Sequence, residues 1–224
     1  MSGKSPKKIL VLRFSSIGDI VLTFPVVAAL KAAYPDCQID YVTKPAFRHL
    51  LEACPGLSHI FTLESSIRQL RKDINFQSYD AVLDLHNNLR TLLLTAFSGV
   101  KVYKYPKNNW NKWLLTRFKI KQERRQHVVE RYLSTLKQAF GLEVLAPENP
   151  YEIPESEQFS IQDATGFTPR KYVAFAIGAQ FATKRLPTDL MIKLLQKMEH
   201  PLVLLGGKED QQTANEIVAA LGGQ

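Results

Sequence analysis

The sequence predicts an α/β protein built on parallel sheets. Short apolar, β-branched runs alternate with helical runs, the links between them are short, and polar or glycine-bearing loops recur where the strand-like runs end. Of the 224 residues, 45% are hydrophobic and 22% charged, enough apolar material for a core and too much for global disorder. With 11 glycines and 12 prolines, collagen-like and low-complexity classes are excluded as well.

Lys8 to Phe14 (KILVLRF) reads as the first strand and ends in the loop Ser15-Ser16-Ile17-Gly18-Asp19. Ile20 to Tyr34 follows as an apolar helix, with Pro25 in its first turn or at a kink. Gln38 to Thr43 is a second strand and Pro45 to Ala53 a short helix closed by Pro55-Gly56. His59 to Leu63, Asp80 to Leu85 and Lys101 to Tyr105 are further strands. A basic helix at Ser66 to Ile74 and an apolar one at Leu89 to Phe97 separate them. Pro106 to Gln126 breaks the rhythm with Trp110 and Trp113 among many cations. His127 to Phe140 is amphipathic, with Val128, Tyr132, Leu133, Leu136 and Phe140 near a 3.6-residue period, and Gly141 is its stop. Glu143 to Pro169, rich in proline and acids, reads as a connection between domains. The α/β rhythm then restarts with strands at Tyr172 to Ile177 and Leu202 to Leu205, and helices at Pro187 to Met198 and Glu209 to Leu221. The expected domains are therefore 1–165 and 166–224. The second is expected to be incomplete in this chain, since two parallel strands bury little alone.

Charge bounds the partners. Lys and Arg number 29 against 21 Asp and Glu, a net +8, which predicts an anionic partner: nucleic acid, phosphorylated substrate or acidic membrane surface. Cys37 and Cys54 are the only cysteines; both read as buried thiols in a reducing compartment, with no structural zinc site. Arg13 and Asp19 interrupt the N-terminal apolar runs, so no signal peptide or spanning helix is expected, and the chain reads as cytoplasmic. Contact with the inner-membrane surface stays open because of the excess cations.

Three loops could carry chemistry. In a doubly wound sheet ligands gather at the carboxyl ends of the strands. The Ser15–Asp19 loop leaves the first strand and enters the first helix, a setting that welcomes anions. Asp19 would repel a phosphate there, and suits taking a proton from an acceptor hydroxyl; a helix cap explains it equally well. Asp84-Leu85-His86-Asn87-Asn88-Leu89-Arg90 closes the fourth strand with groups for sugar hydroxyls and, in Arg90, for an anion; a plain capping loop is the alternative. Gly178-Ala179-Gln180-Phe181-Ala182-Thr183-Lys184 combines small residues, a hydroxyl and a cation like a diphosphate cradle, against a simple solvated basic loop. Gly206-Gly207 suits a nucleotide edge or an ordinary turn. Arg68, Arg71 and Lys72 form a basic helix face. There is no G-x-G-x-x-G, Walker or D-x-D pattern, and no metal-ligand set.

At these motifs the chain resembles glycosyltransferase family 9, the ADP-heptose:lipopolysaccharide heptosyltransferases. The stretch KILVLRFSSIGDIVLTFPVVAALKAAYPDCQIDYVT looks like the family's opening, and DAVLDLHNNLRT like its mid-domain strand and loop. HVVERYLSTLKQAFGL resembles a helix near the end of the first domain; AIGAQFATKRLP with PLVLLGGKEDQQTANEIVAALG resembles the start of the donor domain. The resemblance implies a GT-B architecture, with the acceptor on residues 1–165 and a nucleotide sugar on 166–224. It implies metal-independent inverting transfer with no cofactor, and Asp19 as the base that activates the acceptor. Gly178, Ala179, Gln180, Thr183, Lys184, Gly206 and Gly207 would bind the ADP-sugar donor, Lys184 at the diphosphate. Ser15, Ser16, Gly18, Arg68, Arg71, Lys72, His86, Asn87 and Arg90 would face a lipopolysaccharide core acceptor. Two rivals remain at this point: a truncated, non-catalytic relative holding an anionic glycolipid or membrane surface, and a nucleic-acid binder using Trp110 to Arg125, for which no recognition motif is present.

Overall fold

The computed structural model describes residues 5–107, 126–144, 150–179 and 181–222. The chain divides into two units, residues 1–155 and 156–224. The boundary read from sequence, at 165/166, falls one short helix later.

The first unit is a five-stranded parallel sheet. Its strands are β1 (Lys8–Leu12), β2 (Gln38–Thr43), β3 (His59–Thr62), β4 (Ala81–Asp84) and β5 (Val102–Lys104). They lie in the order β3-β2-β1-β4-β5. Alternation along β1 explains why helices cover both faces. Ile9 and Val11 enter one core with residues of α2 (Phe24–Ala33) and α6 (Val128–Phe140). Leu10 and Leu12 enter the other, with Leu70 and Leu94 of α4 (Ile67–Asp73) and α5 (Leu89–Thr95). Burial on both sides is what makes KILVL a nearly continuous apolar run.

The helix expected at Ile20–Tyr34 is two helices. α1 (Ile17–Val21) starts earlier and places Asp19 inside its first turn. The chain breaks at Leu22 and Thr23, and α2 restarts at Phe24 with Pro25 in its first turn, where a missing N–H is harmless. The break is stapled: Thr23 Oγ1 donates to the Ile20 carbonyl at 2.7 Å and lies 2.8 Å from the buried Tyr41 hydroxyl. α3 (Arg48–Glu52) follows a single 3-10 turn at Pro45–Phe47. Ser66 caps α4 by accepting from Gln69 N at 3.1 Å, and Gly141 ends α6 in the left-handed conformation at φ 70. Cys37 and Cys54 are buried free thiols.

Among its described residues, the stretch read as a connection holds a 3-10 turn at Glu155–Glu157 and a helix, α7 (Ile161–Thr165), capped by Ser160 and closed by Gly166 at φ 74. The second unit continues with β6 (Val173–Ala176), α8 (Thr188–Leu195), β7 (Leu202–Leu205) and α9 (Gln211–Leu221). β6 and β7 pair in parallel, and Ile177, Met191, Leu195, Ile217 and Leu221 form its core. No helix among the described residues is long and apolar enough to cross a membrane. The α/β class read from sequence stands, with parallel pairing throughout both sheets.

Candidate active site

Strand order in the first unit reverses at β1 and β4, and the crevice outside their carboxyl ends is where such sheets bind ligands. The loops after these strands are joined there by Arg13. Its guanidinium donates to the Leu85 carbonyl at 2.7 Å, to the Ser15 carbonyl at 2.7 Å, and pairs with Asp19 Oδ2 at 2.6 Å. Arg13 is 7% exposed, so this cation is paired and hydrogen-bonded as a buried charge must be. Its guanidinium also lies over the Tyr132 ring, 5.8 Å from the centroid.

Of the two roles that the sequence left open for Asp19, the structure shows the helix cap. As the third residue of α1 it accepts from Ser16 N at 3.4 Å, and from Ser16 Oγ at 3.0 Å. Both bonds and the Arg13 pair fall on Oδ2, and none of them engages Oδ1. The side chain is 40% exposed, unlike that of its partner. Burial by itself raises the carboxyl, but the Arg13 charge and the Ser16 hydrogen bonds outweigh it and hold it below the usual carboxylate value. The group is therefore ionised at neutral pH. Gly18, beside it, has open space where a Cβ would stand.

The β4 loop supplies His86 and Asn87. Asp84 is fully buried, and its Oδ1 accepts from His86 N at 3.1 Å and Asn87 N at 2.6 Å, which fixes the turn. Burial raises the Asp84 carboxyl, and the Asn87 N–H counteracts that. Asn87, at φ 48, donates its side-chain amide to the Tyr105 carbonyl at 3.1 Å. The His86 ring packs on Phe14 with centroids 5.3 Å apart, and its Nδ1 has no hydrogen-bond partner among the described residues. Burial, reinforced by the Arg13 charge, pushes His86 down to about 4, so a neutral imidazole faces the site.

Beside this junction, a groove of about 630 Å³ runs between Lys44, Pro45, Glu64, Ser66 and Arg90. Of the predicted acceptor cations, Arg90 lines it. Arg68 and Lys72 are exposed on α4, and Arg71 donates to the Leu93 carbonyl at 3.4 Å. The structure thus brings Ser15, Ser16, Gly18, Asp19, His86 and Asn87 to one sheet edge and places the α4 cations on a neighbouring helix.

In the second unit, the glycines serve a buried carboxylate. A Cβ on Gly178 would fall inside contact distance of the Asp210 carboxylate, and one on Gly206 would lie 2.9 Å from the Asp210 Cβ. Asp210 Oδ2 accepts from Gly207 N at 2.9 Å, and Oδ1 lies 3.1 Å from Arg185. Arg185 Nε in turn donates to the Ala179 carbonyl at 2.6 Å. The loops after β6 and β7 are tied together this way. Thr183 and Lys184 sit on an exposed 3-10 turn, with Lys184 Nζ 5.6 Å from the Phe181 ring centroid. Gln180 and the segment Trp110 to Arg125 lie outside the described residues. Sequence reasoning missed Arg13, Arg185 and Asp210. The available signal for Arg13 was a cation at the end of an otherwise apolar strand.

Residues 67–223, more than half of the chain, match the family model described as glycosyltransferase family 9 (heptosyltransferase). Lipopolysaccharide heptosyltransferase 2 of Escherichia coli is 25% identical over 96% of this chain and 67% of that protein. A family 9 glycosyl transferase from Veillonella parvula superposes with a TM-score of 0.75 at 20% identity, over 95% of this chain and 66% of that one. The E. coli heptosyltransferase WaaC with ADP-2-deoxy-2-fluoro heptose gives 0.66 at 18% identity, over 96% and 74%. The chain spans about two thirds of the length of the curated relatives it matches.

Proposed function

Because this chain belongs to glycosyltransferase family 9, we propose that it carries out, as part of the whole protein, transfer of a heptose from an ADP-heptose donor to a lipopolysaccharide inner-core acceptor. The observation that carries this reading is the Arg13–Asp19 pair at the switch point of the sheet. Asp19 is the base that takes the acceptor hydroxyl proton as that oxygen attacks the anomeric carbon from the face opposite the departing ADP, which inverts the configuration. An ionised carboxylate with one oxygen fixed and one unengaged is suited to that step. Arg13 positions it and, with Ser16, holds its carboxyl below the usual carboxylate value. Neutral His86 and the carbonyl of Asn87 offer hydrogen bonds to sugar hydroxyls, and Arg90 offers charge to an acidic group of the acceptor.

In this reading, residues 1–165 bind the acceptor and 166–224 begin the donor domain. The loop with Gly178, Ala179, Gln180, Thr183 and Lys184, together with Gly206 and Gly207, receives the nucleotide sugar. Lys184 neutralises the diphosphate as it leaves, in the place of a metal. The relative with bound ADP-2-deoxy-2-fluoro heptose supports the donor class. The chemistry is cytoplasmic, where nucleotide sugars are made.

The test is heptose transfer from ADP-heptose to heptose-deficient lipopolysaccharide by the whole protein carrying wild-type or Asp19→Asn sequence. The variant keeps the side chain's size and should retain the fold. A loss of about a hundredfold or more in kcat with donor binding kept is expected. Transfer at the wild-type rate overturns the assignment of Asp19. Glycolipid binding with no transfer by the wild type favours the non-catalytic alternative.

A further inference from the structure

α5 carries two opposite faces. Thr91, Leu94 and Thr95 are buried toward the sheet. On the other side Leu89, Leu92 and Leu93 are 68%, 48% and 52% exposed, and Phe97, just past the helix, is 99% exposed. Their three- and four-residue spacing makes one stripe. None of the four belongs to either core of the first unit. Phe97 also sits at φ 55, a conformation bulky residues rarely adopt. Asn or Gly would fit that backbone more easily, so the fold does not account for an aromatic ring there.

Cations edge the stripe. Arg71 of α4 reaches the Leu93 carbonyl, Arg90 lies on α5 itself, and Arg68 and Lys72 are exposed one turn apart on α4. The nearby Asp73 is hydrogen-bonded to Gln69 at 2.9 Å. Large apolar side chains beside cations that make no salt bridge among the described residues match a surface that is anionic outside and apolar just beneath. A second copy of the chain matches poorly. A symmetric contact would press these same cations against each other on molecules of net charge +8.

We propose that the α5 stripe of Leu89, Leu92, Leu93 and Phe97, with Arg68, Arg71, Lys72 and Arg90 around it, docks this chain on an anionic lipid bilayer. The leucines and Phe97 enter the headgroup–acyl boundary, and Arg68, Arg71 and Lys72 meet the lipid phosphates. The groove that Arg90 lines then lies at headgroup level. The surface goes beyond the transfer reading and does not depend on it, since docking needs neither donor nor Asp19.

The experiment is co-sedimentation of the 224-residue chain with vesicles of phosphatidylcholine alone and of phosphatidylcholine with an equal part of phosphatidylglycerol. Binding to the anionic vesicles that fades as salt is raised is expected. The double variant Leu93→Ser, Phe97→Asn should bind about tenfold more weakly or worse, with its melting temperature unchanged, because both side chains lie outside the cores. Phe97→Asn alone, which suits the left-handed backbone, should show part of the loss if the double variant does not fold. Equal binding by the variants, or no binding to anionic vesicles at low salt, overturns the proposal. So does self-association of the wild type that the double variant abolishes, which would make a second copy the occupant.

Discussion

Two arginine–carboxylate pairs tie strand-end loops together, and they are buried the opposite way round. In the first unit the cation is buried and the anion open: Arg13 is 8% and Asp19 40% exposed at the side chain. In the second the anion is buried and the cation open, with Arg185 at 37% and Asp210 at 4%. The difference fits the role proposed for Asp19 and a structural one for Asp210. A carboxylate held from behind by a buried guanidinium keeps an oxygen for solvent or substrate. A carboxylate sealed under glycines keeps the loops in place and serves as structure.

Breaking the second pair should have the larger effect. Arg185→Met leaves Asp210 buried with only the Gly207 N–H, and an uncompensated buried charge is destabilising by about 3 kcal/mol. Urea unfolding of residues 156–224 within the chain should show a loss of that order; an unchanged midpoint would mean that Asp210 needs no counter-ion. Arg13→Met should be milder, about 2 kcal/mol, because Asp19 can turn to water while the Leu85 and Ser15 carbonyls lose their donors. The same variant should raise the Asp19 carboxyl.

His86 sharpens the contrast through pH. Its folded-state value, about 4, lies below the ordinary 6.5, so the unfolded chain binds the proton first. Stability linked to His86 is fully present above about pH 6.5 and is lost as pH falls toward 4. With the ring partly exposed, the change is about 1 kcal/mol. His86→Gln should flatten that part of the stability–pH curve; a slope that persists would place it on another group. The smallest effect belongs to Gly18→Ala. Nothing stands within 4 Å of the added Cβ, so stability should stay within about 0.5 kcal/mol. A fall in transfer by the whole protein would then show that substrate approaches this backbone.

Much of this was legible in the residues. The run KILVL announced a strand buried on both faces, and Ser-Ser-x-Gly-Asp with the Asp84–Arg90 loop marked the two strand ends that meet at the switch point. Pro25 signalled a helix start, yet the apolar run across Val21 to Phe24 hid the break that Thr23 and Tyr41 stabilise. Ser160 and Gly166 bracketed a helix that acidic composition disguised. The Arg185–Asp210 pair was not legible, because it depends on loops that only the folded sheet brings together; Arg13 and Asp19 share one loop, and what stayed hidden there was the Leu85 carbonyl that anchors Arg13. Arg185 and Asp210 are far apart in sequence, and a Gly-Gly turn gave no hint that a carboxylate lay beneath it.

Central to the proposed function is that Arg13 orients Asp19 and lowers its carboxyl below the usual value. The most direct measurement is an NMR titration of the Asp19 side-chain carboxyl in the 224-residue chain, in the wild type and in Arg13→Met. The account predicts a wild-type midpoint below that of an ordinary aspartate, so that the linked stability is lost only as pH falls through it, and a higher midpoint in the variant. A wild-type midpoint at or above the ordinary value, unmoved by the substitution, would contradict it.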